Sequence, residues 1–341
     1  MKMHVKPGYI LLITFMMLSF ALANVILLFT FQHHHTGMIR TLTVKCLTLD
    51  CALSAPDILK GLLTEQPGKE KEQKEEKKEE KKALSVESMK NIALLWKYTQ
   101  FLTPIAFAEE KENSIRYAIM LGTEEGKINL NGLYNFSNAS WLSPQKKDFC
   151  KWLFQAIAKH TKTDSLFEQF EAYLKKRGHY FNDVSELFEI KEFSKVFSSH
   201  LMRKSLEKDN SLYLGELFTV CTEQDTINCV GLSSSFALLV GAKKENMIEL
   251  LQQKEKMQEI FKLSSVGAQG LATFFEKVYG IDLNSMPQEF KSLLTMNFEL
   301  NIFSIVLTAF AQKMASTAFA IIKRQTSGTS VTYDVMKVYQ V

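Results

Sequence analysis

The distribution of hydrophobic and polar residues along the chain begins with a long uncharged run. Residues 9–31 contain no charged side chain. As a helix rising about 1.5 Å per residue, this run would reach roughly 35 Å, which is enough to cross a hydrocarbon core of about 30 Å. The pattern therefore predicts a membrane-spanning helix, and Lys2 and Lys6 favour a cytoplasmic N-terminus.

Three interpretations of this run are open on pattern alone. It is a plain signal anchor, or a cleaved secretory signal with an A-x-A site at residues 21–23. In the third interpretation, a short basic leader ends in Gly8 and the whole apolar helix is retained from Tyr9 onward. The apolar stretch 25–31 argues against a cleaved secretory signal, because the mature protein would keep an unanchored apolar N-terminus.

Apolar residues then recur at helical spacing. They predict that residues 38–53 form a helix with one apolar face. The residues of that face are Met38, Leu42, Cys46, Leu49 and Leu53. Helix-favouring sequence ends near Ser54, and Pro56 predicts the end of the helix.

Residues 69–82 carry 13 charged side chains in 14 positions, with like-signed i,i+4 pairs from Glu75 on. Residues 54–87 are therefore predicted to be a linker or loop insertion.

Alternation typical of strands occurs in two widely separated stretches. Residues 88–101 have helical spacing, residues 115–121 alternate as a strand, and residues 122–127 predict a turn. Residues 298–310, 315–324 and 330–341 alternate again, with a hairpin turn around Gly328. Residues 133–292 are mostly helical in pattern, and their aromatic stripes indicate a core.

These elements predict an α+β fold. The three closing strands are expected to join the strand near Ile115 in one small antiparallel sheet, whose apolar face is covered by the helix 38–53. The predicted boundaries are a leader at 1–8, an N-terminal helix at 9–53 and a charged linker at 54–87. An α/β domain follows, formed by 88–132 and 293–341, with an all-helical domain at 133–292 inserted between its strands.

Composition excludes several classes of function. The formal net charge is only +4, with 41 basic and 37 acidic residues mixed along the chain, so no basic stripe for nucleic acid is present. The turn at 122–127 imitates a phosphate loop but has too few residues between its glycines. No catalytic motif and no metal-spaced set of Cys and His occurs, so an enzyme is not expected. Cys221 and Cys229 are either bridged across a turn or, as the simpler interpretation, buried thiols.

Two short elements with the same residue types carry a resemblance to a known family. The first is Glu-Glu-Gly-Lys-Ile-Asn-Leu-Asn at 124–131, which supplies Gly126, Lys127, Ile128, Asn129 and Asn131. The second lies at 225–232 and supplies Ile227 and Asn228. Together with Phe-Asn-Asp-Val-Ser-Glu-Leu at 181–187, they resemble the minor pseudopilin K family of type II secretion systems. The chain departs from that family at Val230, where a second Asn is expected, and in the charged residues 69–82.

The resemblance implies a pilin-like arrangement, in which a long N-terminal helix lies on the sheet. It also implies the third interpretation of the N-terminal run, a short leader that ends in Gly8. A prepilin peptidase would cut after Gly8, and Tyr9 would be N-methylated. Most pilin-like subunits carry Glu at the fifth mature position, where this chain has Ile13, as the K-type subunits also lack Glu. Since a carboxylate at that depth is costly without a partner, its absence suits a subunit with no neighbour above it.

The implied function is that of a non-enzymatic subunit at the tip of a pseudopilus, which initiates assembly and supports export across the outer membrane. Implied partners are the I-, J- and H-type minor pseudopilins, the prepilin peptidase and the inner-membrane platform. The implied location is the inner membrane, as a single-pass protein whose bulk is periplasmic. Calcium binding occurs in the family, but no ligand residues are assignable here, so no cofactor is predicted.

Two other functions are weighed against this expectation. The first alternative is a signal-anchored periplasmic helical binding protein with no filament role. The second is a hydrolase with its site in the helical block, for which Glu186 and His179 offer nothing beyond their presence.

Overall fold

A computed structural model of the chain describes residues 41–64, 86–98, 105–107, 116–203, 210–263, 268–311, 314–327 and 330–340, together with residues 30, 32, 38, 39 and 266. The chain divides into two compact units, Met1–Leu47 and Thr48–Val341, and the fold below is that of the second. The predicted span 9–31, apart from Thr30, and the charged residues 69–82 lie outside the described ranges. Among the helices that are described, none has both the length and the apolar character needed to cross a membrane.

Five strands of the described chain form one antiparallel sheet in the order β1-β2-β9-β10-β11. Their bounds are β1 Ile105–Phe107, β2 Arg116–Thr123, β9 Ile302–Ala311, β10 Met314–Ser327 and β11 Ser330–Gln340. The expectation that the closing strands join the strand near residue 118 is confirmed, since Ala118 pairs with Thr308. The sequence did not indicate β1, and β2 runs on through Gly122 and Thr123, which were predicted as turn.

The sheet buries apolar residues on both faces rather than on one. Ile119, Ile305 and Ala320 contribute to a large core, whereas Met120, Val306 and Phe319 on the opposite face belong to a second cluster. This alternation follows from the period of two along a strand. The central strands of the sheet are therefore covered on both faces, whereas the edge strand β11 is partly exposed.

Among the described helices, two make their main contacts with the sheet. Helix α2, Ala55–Thr64, contacts β10 and β11, and helix α3, Val86–Tyr98, contacts β2. The prediction of a linker over 54–87 is therefore wrong for the residues of α2 and for the first two of α3. The predicted helix end near Ser54 is confirmed, since helical residues 41–53 are followed by a turn at Ser54. Pro56 then lies in the first turn of α2, where a proline loses no intrahelical hydrogen bond.

Residues 41–53 are helical (α1), but the predicted apolar face of this helix is wrong. Each residue of that face is exposed: Met38, Leu42, Cys46, Leu49 and Leu53. Within the second unit, Thr48 and Ala52 are the buried positions, followed by Ala55 and Leu59 of α2. Small side chains face the core here because they let the helix backbone approach it closely.

The chain between β2 and β9 is a block of short helices, which we call the inserted block. Its α-helices are α4 Pro144–Thr161, α5 Phe167–Arg177, α6 Leu214–Leu217, α7 Ser234–Val240, α8 Lys244–Gln252, α9 Lys254–Lys262, α10 Ala268–Phe274 and α11 Gln288–Lys291. Local signals fix their ends. Ser143 Oγ accepts a hydrogen bond from Lys146 N at 3.3 Å at the start of α4, and Gly178 ends α5 with a φ of 73°.

The prediction that residues 133–292 form an all-helical domain is wrong, because β-strands occur within them. In the part of the block that is described, three two-stranded pairs occur: β3 Ile128–Asn129 with β6 Phe218–Thr219, β4 Tyr134–Asn135 with β5 Ser140–Trp141, and β7 Ile227–Asn228 with β8 Leu294–Thr295. The first and third pairs are parallel. Strands of two residues leave almost no alternation in a sequence, which is why the pattern did not reveal them.

Candidate functional site

The inserted block leaves the sheet at the end of β2 and returns to it at the start of β9, and these two points are bonded together. The Thr123 hydroxyl donates to Ile302 O at 2.7 Å, and Glu124 N donates to the same carbonyl at 3.0 Å. Glu125 Oε1 accepts from Asn301 N at 3.1 Å. We call residues 123–127 and 299–302 the neck. Because its bonds join both ends of the insertion, the neck sets where the inserted block lies against the sheet.

The first Ile-Asn element, residues 128–132, starts directly after the neck. Asn129 has extended backbone angles, and its Oδ1 accepts from Asn131 N at 3.1 Å, which caps the 3-10 helix Leu130–Gly132. Its Nδ2 donates to Thr222 O at 2.9 Å. Asn131 bonds both backbone groups of Phe181, accepting from N at 2.8 Å and donating to O at 3.0 Å. Short polar side chains at this position thus tie three segments of backbone together.

The second Ile-Asn element, residues 227–231, repeats this geometry. Asn228 has φ −78° and ψ 109°, against −73° and 109° for Asn129. Its Oδ1 accepts from Val230 N at 3.2 Å, capping the 3-10 helix Cys229–Gly231, and its Nδ2 donates to Asn297 O at 2.7 Å. Asn228 is fully buried. The likeness between the two elements in sequence therefore corresponds to one local structure used twice.

The two elements meet at the neck. Asn228 N donates to Glu125 O at 2.8 Å. A Cβ atom added to Gly126 would lie 1.8 Å from Gly231 O, so only glycine allows the two backbones to approach this closely. The indole of Trp96 donates to Val230 O at 2.8 Å, and the Tyr279 hydroxyl donates to Cys229 O at 2.6 Å. The carbonyls of the second element are thus satisfied by aromatic donors from two helical segments.

A third copy of this local structure was missed by sequence reasoning. Asp282 has φ −73° and ψ 105°, and its side chain accepts from Asn284 N at 2.9 Å to cap the 3-10 helix Leu283–Ser285. Ile281 precedes it as Ile128 precedes Asn129. The signal was present as Ile-Asp-Leu-Asn, but Asp takes the place of Asn. Both residues cap helices by accepting a backbone hydrogen bond, which explains why they are interchangeable here.

A buried ion pair lies within the neck. Lys127 Nζ forms an ion pair with Glu124 Oε1, and both side chains are almost fully buried. The Thr219 hydroxyl donates to the other oxygen of Glu124 at 2.5 Å, and Lys127 Nζ lies 5.5 Å from the centre of the Phe319 ring. The phosphate-loop imitation at 122–127 is therefore closed to a phosphate, because its lysine is already paired inside the protein.

A second buried ion pair lies on the side of the inserted block that faces the sheet. Arg203 Nε donates to Glu216 Oε1 at 3.3 Å, and Glu216 Oε2 accepts from both N and Oγ of Ser235, at 2.9 Å and 2.5 Å. These partners are separated along the chain and follow no helical or strand period, so no sequence pattern indicates the pair. Such pairs fix a unique arrangement of the segments that carry them, because separating either charge from its partner is costly.

No protein-family model matches the chain, and no curated protein matches it. Among solved structures, the fold is similar to that of a chain in the GspK-GspI-GspJ complex from the enterotoxigenic Escherichia coli type 2 secretion system. The two chains are 11% identical, the similarity covers 91% of this chain and 99% of that chain, and the TM-score is 0.44.

The predicted motif residues fall into two groups. Gly126, Lys127 and the first and second Ile-Asn elements lie together at and beside the neck. The predicted processing residues Gly8 and Tyr9 and the position determinant Ile13 lie outside the described residues. Their roles therefore remain predictions from the sequence.

Glu186, weighed above as a hydrolase residue, has a local structural role. Its Oε1 accepts from Asp183 N at 2.7 Å while the Asp183 side chain accepts from Ser185 N at 2.8 Å, which forms a capping box. Its other oxygen pairs with Arg177. His179 is exposed, and its Nδ1 lies 3.0 Å from Tyr180 O. Both carboxylate oxygens of Glu186 are therefore bonded to groups within the protein.

The two cysteines that could have bridged a turn, Cys221 and Cys229, form no disulfide. Burial raises the pKa values of the Cys150 and Cys229 thiols well above the usual range. A thiol held in its protonated form is a poor nucleophile and a poor metal ligand. Within the described residues, no group of three or more His, Cys, Asp or Glu side chains is placed to hold a metal ion.

Proposed function

We propose that this chain is a minor pseudopilin of a type II secretion pseudopilus. The observation that carries the proposal is the course of the chain. It forms helices that pack on a small antiparallel sheet, leaves the sheet after β2 for a large inserted block, and returns for three closing strands. The motif residues of the resemblance lie where this excursion begins and around its neck. An α+β fold with a large insertion between strands supports the K-type resemblance.

Two features support a place at the tip of the filament, where the subunit would initiate assembly. Ile13 stands where most pilin-like subunits carry Glu, so this chain lacks the carboxylate that pairs with a neighbouring subunit's N-terminal amine. The inserted block also adds bulk, which would crowd the shaft of a filament on all sides. Both features suit a subunit that has neighbours only below it.

The proposal includes a membrane location and processing. The uncharged run 9–31 would anchor the chain in the inner membrane, with a cytoplasmic N-terminus and the bulk of the chain in the periplasm. A prepilin peptidase would remove residues 1–8, and Tyr9 would be methylated. The I-, J- and H-type pseudopilins and the inner-membrane platform would be its partners. We propose no catalytic role, since the polar groups of the neck are used to hold backbone segments together.

Mass spectrometry of the mature N-terminus tests the processing. We expect a chain that begins at N-methylated Tyr9, and we expect Gly8→Ala to leave residues 1–8 attached, while Pro7→Ala at the neighbouring position serves as the control. A mature chain that begins at Asn24 would show an ordinary secreted protein and would end the proposal.

Crosslinking in membranes followed by purification of this chain tests the filament role separately. We expect the I-, J- and H-type pseudopilins to co-purify with the wild-type chain and to be lost from the Gly8→Ala variant. Recovery of the processed chain without any of these subunits would favour a signal-anchored binding protein with no filament role.

A further inference from the structure

Glu125 lies at the junction of every segment that meets at the neck. Its backbone oxygen accepts from Asn228 N of the second Ile-Asn element at 2.8 Å. Its side-chain Oε1 accepts from Asn301 N, the residue before β9, at 3.1 Å. Its own N–H donates to Thr123 Oγ1 at the end of β2 at 3.2 Å. One residue thus joins the exit from the sheet, the return to it and the inserted block.

The carboxyl group of Glu125 is incompletely satisfied. The residue is 2% exposed, and Oε2 is buried without a hydrogen-bond partner among the described residues. An ionised carboxylate has two oxygens that both need donors, and leaving one unmet in a buried place is costly. Burial raises the pKa of Glu125 to about 7, against an ordinary value of 4.5, while hydrogen bonding by the backbone and the side chain of Asn301 acts in the opposite direction.

We propose that Glu125 is a proton-sensitive latch: in its neutral form it holds the inserted block closed on the sheet, and in its ionised form it loosens the neck. The step is the loss of one proton from the carboxyl group to solvent, with no other bond formed or broken. When the neck opens, water reaches the carboxylate and supplies the donors that the closed neck lacks. This inference concerns the neck alone and does not depend on the proposed function.

The other charged groups near Glu125 leave this interpretation intact. On its own turn, Glu124 and Lys127 are paired with each other. The second Ile-Asn element carries no charged residue from Thr226 to Leu232, only the Cys229 thiol. The segment before β9 brings Glu299, which is exposed, and β10 brings Lys323 and Arg324, of which Arg324 N donates to Asn301 O at 2.6 Å. The shift of the Glu125 pKa is accounted for by burial and Asn301.

The sign and size of the effect follow from linkage. The closed neck binds the proton of Glu125 more tightly than the open neck, so closure is favoured as the pH falls and weakens as the pH rises from about 4.5 to about 7. Between pH 6 and pH 8, an open state with the ordinary pKa gives a change of about tenfold in the closing equilibrium. Above pH 8 the dependence levels off, because both states are ionised.

Hydrogen exchange of the full-length chain in detergent, followed by mass spectrometry, measures this equilibrium. After correction for intrinsic exchange rates, we expect peptides that contain Asn228 and Asn301 to lose about tenfold in protection from pH 6 to pH 8. Peptides from α4, which forms none of the neck hydrogen bonds described above, should change much less. The change in the neck peptides therefore separates the latch from general destabilisation.

Glu125→Gln is the matched variant, since it keeps the shape of the side chain and cannot ionise. Its neck peptides should be insensitive to pH and better protected than wild type at pH 8, while Glu299→Gln at the exposed control position should behave as wild type. The same tenfold change in Glu125→Gln would overturn the proposal. So would equal pH dependence of neck and α4 peptides in the wild-type chain, a result that stands even if Glu125→Gln fails to fold.

Discussion

The sheet and the inserted block are held together in different ways. The strands β9, β10 and β11 are 10, 14 and 11 residues long and share long ladders of backbone hydrogen bonds, with one register shift between Ile321 and Ile322 of β10. The strands of the block are two residues long, and side chains of Asn, Asp, Trp and Tyr complete its backbone hydrogen bonds. Order in the sheet is therefore spread over many equivalent bonds, whereas order in the block depends on a few individual residues near the neck.

Gly126→Ala should produce the largest effect. The added methyl group would lie 1.8 Å from Gly231 O, and both partners are backbone, so the two elements must separate. We expect a loss of more than about 3 kcal/mol in the free energy of unfolding, or no stable fold, by urea denaturation. Gly178→Ala is the control: its φ is 73° with open space around it, so it should cost only about 1–2 kcal/mol. Equal losses in both variants would contradict the close approach at the neck.

Replacing the capping asparagine of each Ile-Asn element compares how much the two elements contribute to stability. Asn228 is fully buried, accepts from Asn297 N at 3.1 Å and donates to Asn297 O at 2.7 Å, so Asn228→Ala should cost about 2–3 kcal/mol. Asn129 is half-buried, so Asn129→Ala should cost about 1–2 kcal/mol. Denaturation of both variants beside Asn138→Ala, at an exposed position, checks the order. A larger loss of unfolding free energy in Asn129→Ala would show that the first element stabilises the neck more than the second.

A third comparison concerns Glu171 of α5, which forms none of the neck hydrogen bonds described above. It accepts from Trp141 Nε1 at 2.7 Å and pairs with Lys147 at 2.7 Å, and the hydrogen bond from Lys147 lowers its pKa to about 2. Its contribution is complete above the ordinary pKa of about 4.5 and is lost as the pH falls through about 2. Glu171→Gln should therefore cost about 1–2 kcal/mol at pH 7, and the difference should vanish near pH 2. Glu168→Gln, on the exposed side of α5, should match wild type throughout.

The smallest effect is expected on the exposed side of α1. Leu53→Ser should change the free energy of unfolding by no more than about 0.5 kcal/mol, because the side chain is 56% exposed. Ala52→Leu, one position away on the buried side, should cost about 1–3 kcal/mol by overpacking. If thermal or urea denaturation shows a larger loss of stability for Leu53→Ser than for Ala52→Leu, the apolar face predicted from the sequence would be supported.

Long elements with a clear period were predictable from the sequence. The closing strands alternate over ten or more residues, so their existence and their pairing with the strand near residue 118 followed from the pattern. The error at α1 has a physical cause: large apolar residues dominate the pattern, while the buried positions include Thr48 and Ala52, which suit close backbone packing. Pro56 correctly indicated the end of α1 but concealed the start of α2, because proline is tolerated in the first turn of a helix.

The candidate site was predictable only where residue identity repeated. The Ile-Asn elements were visible as a repeat, but their Asp-containing third copy was not. Glu125 lies in a charged run and looks solvated, and nothing near it in sequence indicates that Asn301 closes over it. The pair Arg203 and Glu216 is likewise brought together only by the fold. Contacts across long stretches of chain leave no local trace, and the neck is made largely of such contacts.

The indole of Trp96 gives the molecule an internal optical reporter. It is almost fully buried against Phe274, and its N–H is bonded to Val230 O of the second element at 2.8 Å. Tryptophan emission moves to longer wavelength when water reaches the ring. In a chain whose other tryptophans, Trp141 and Trp152, are replaced by Phe, the emission maximum would report the separation of the sheet and the inserted block in real time, without any added dye.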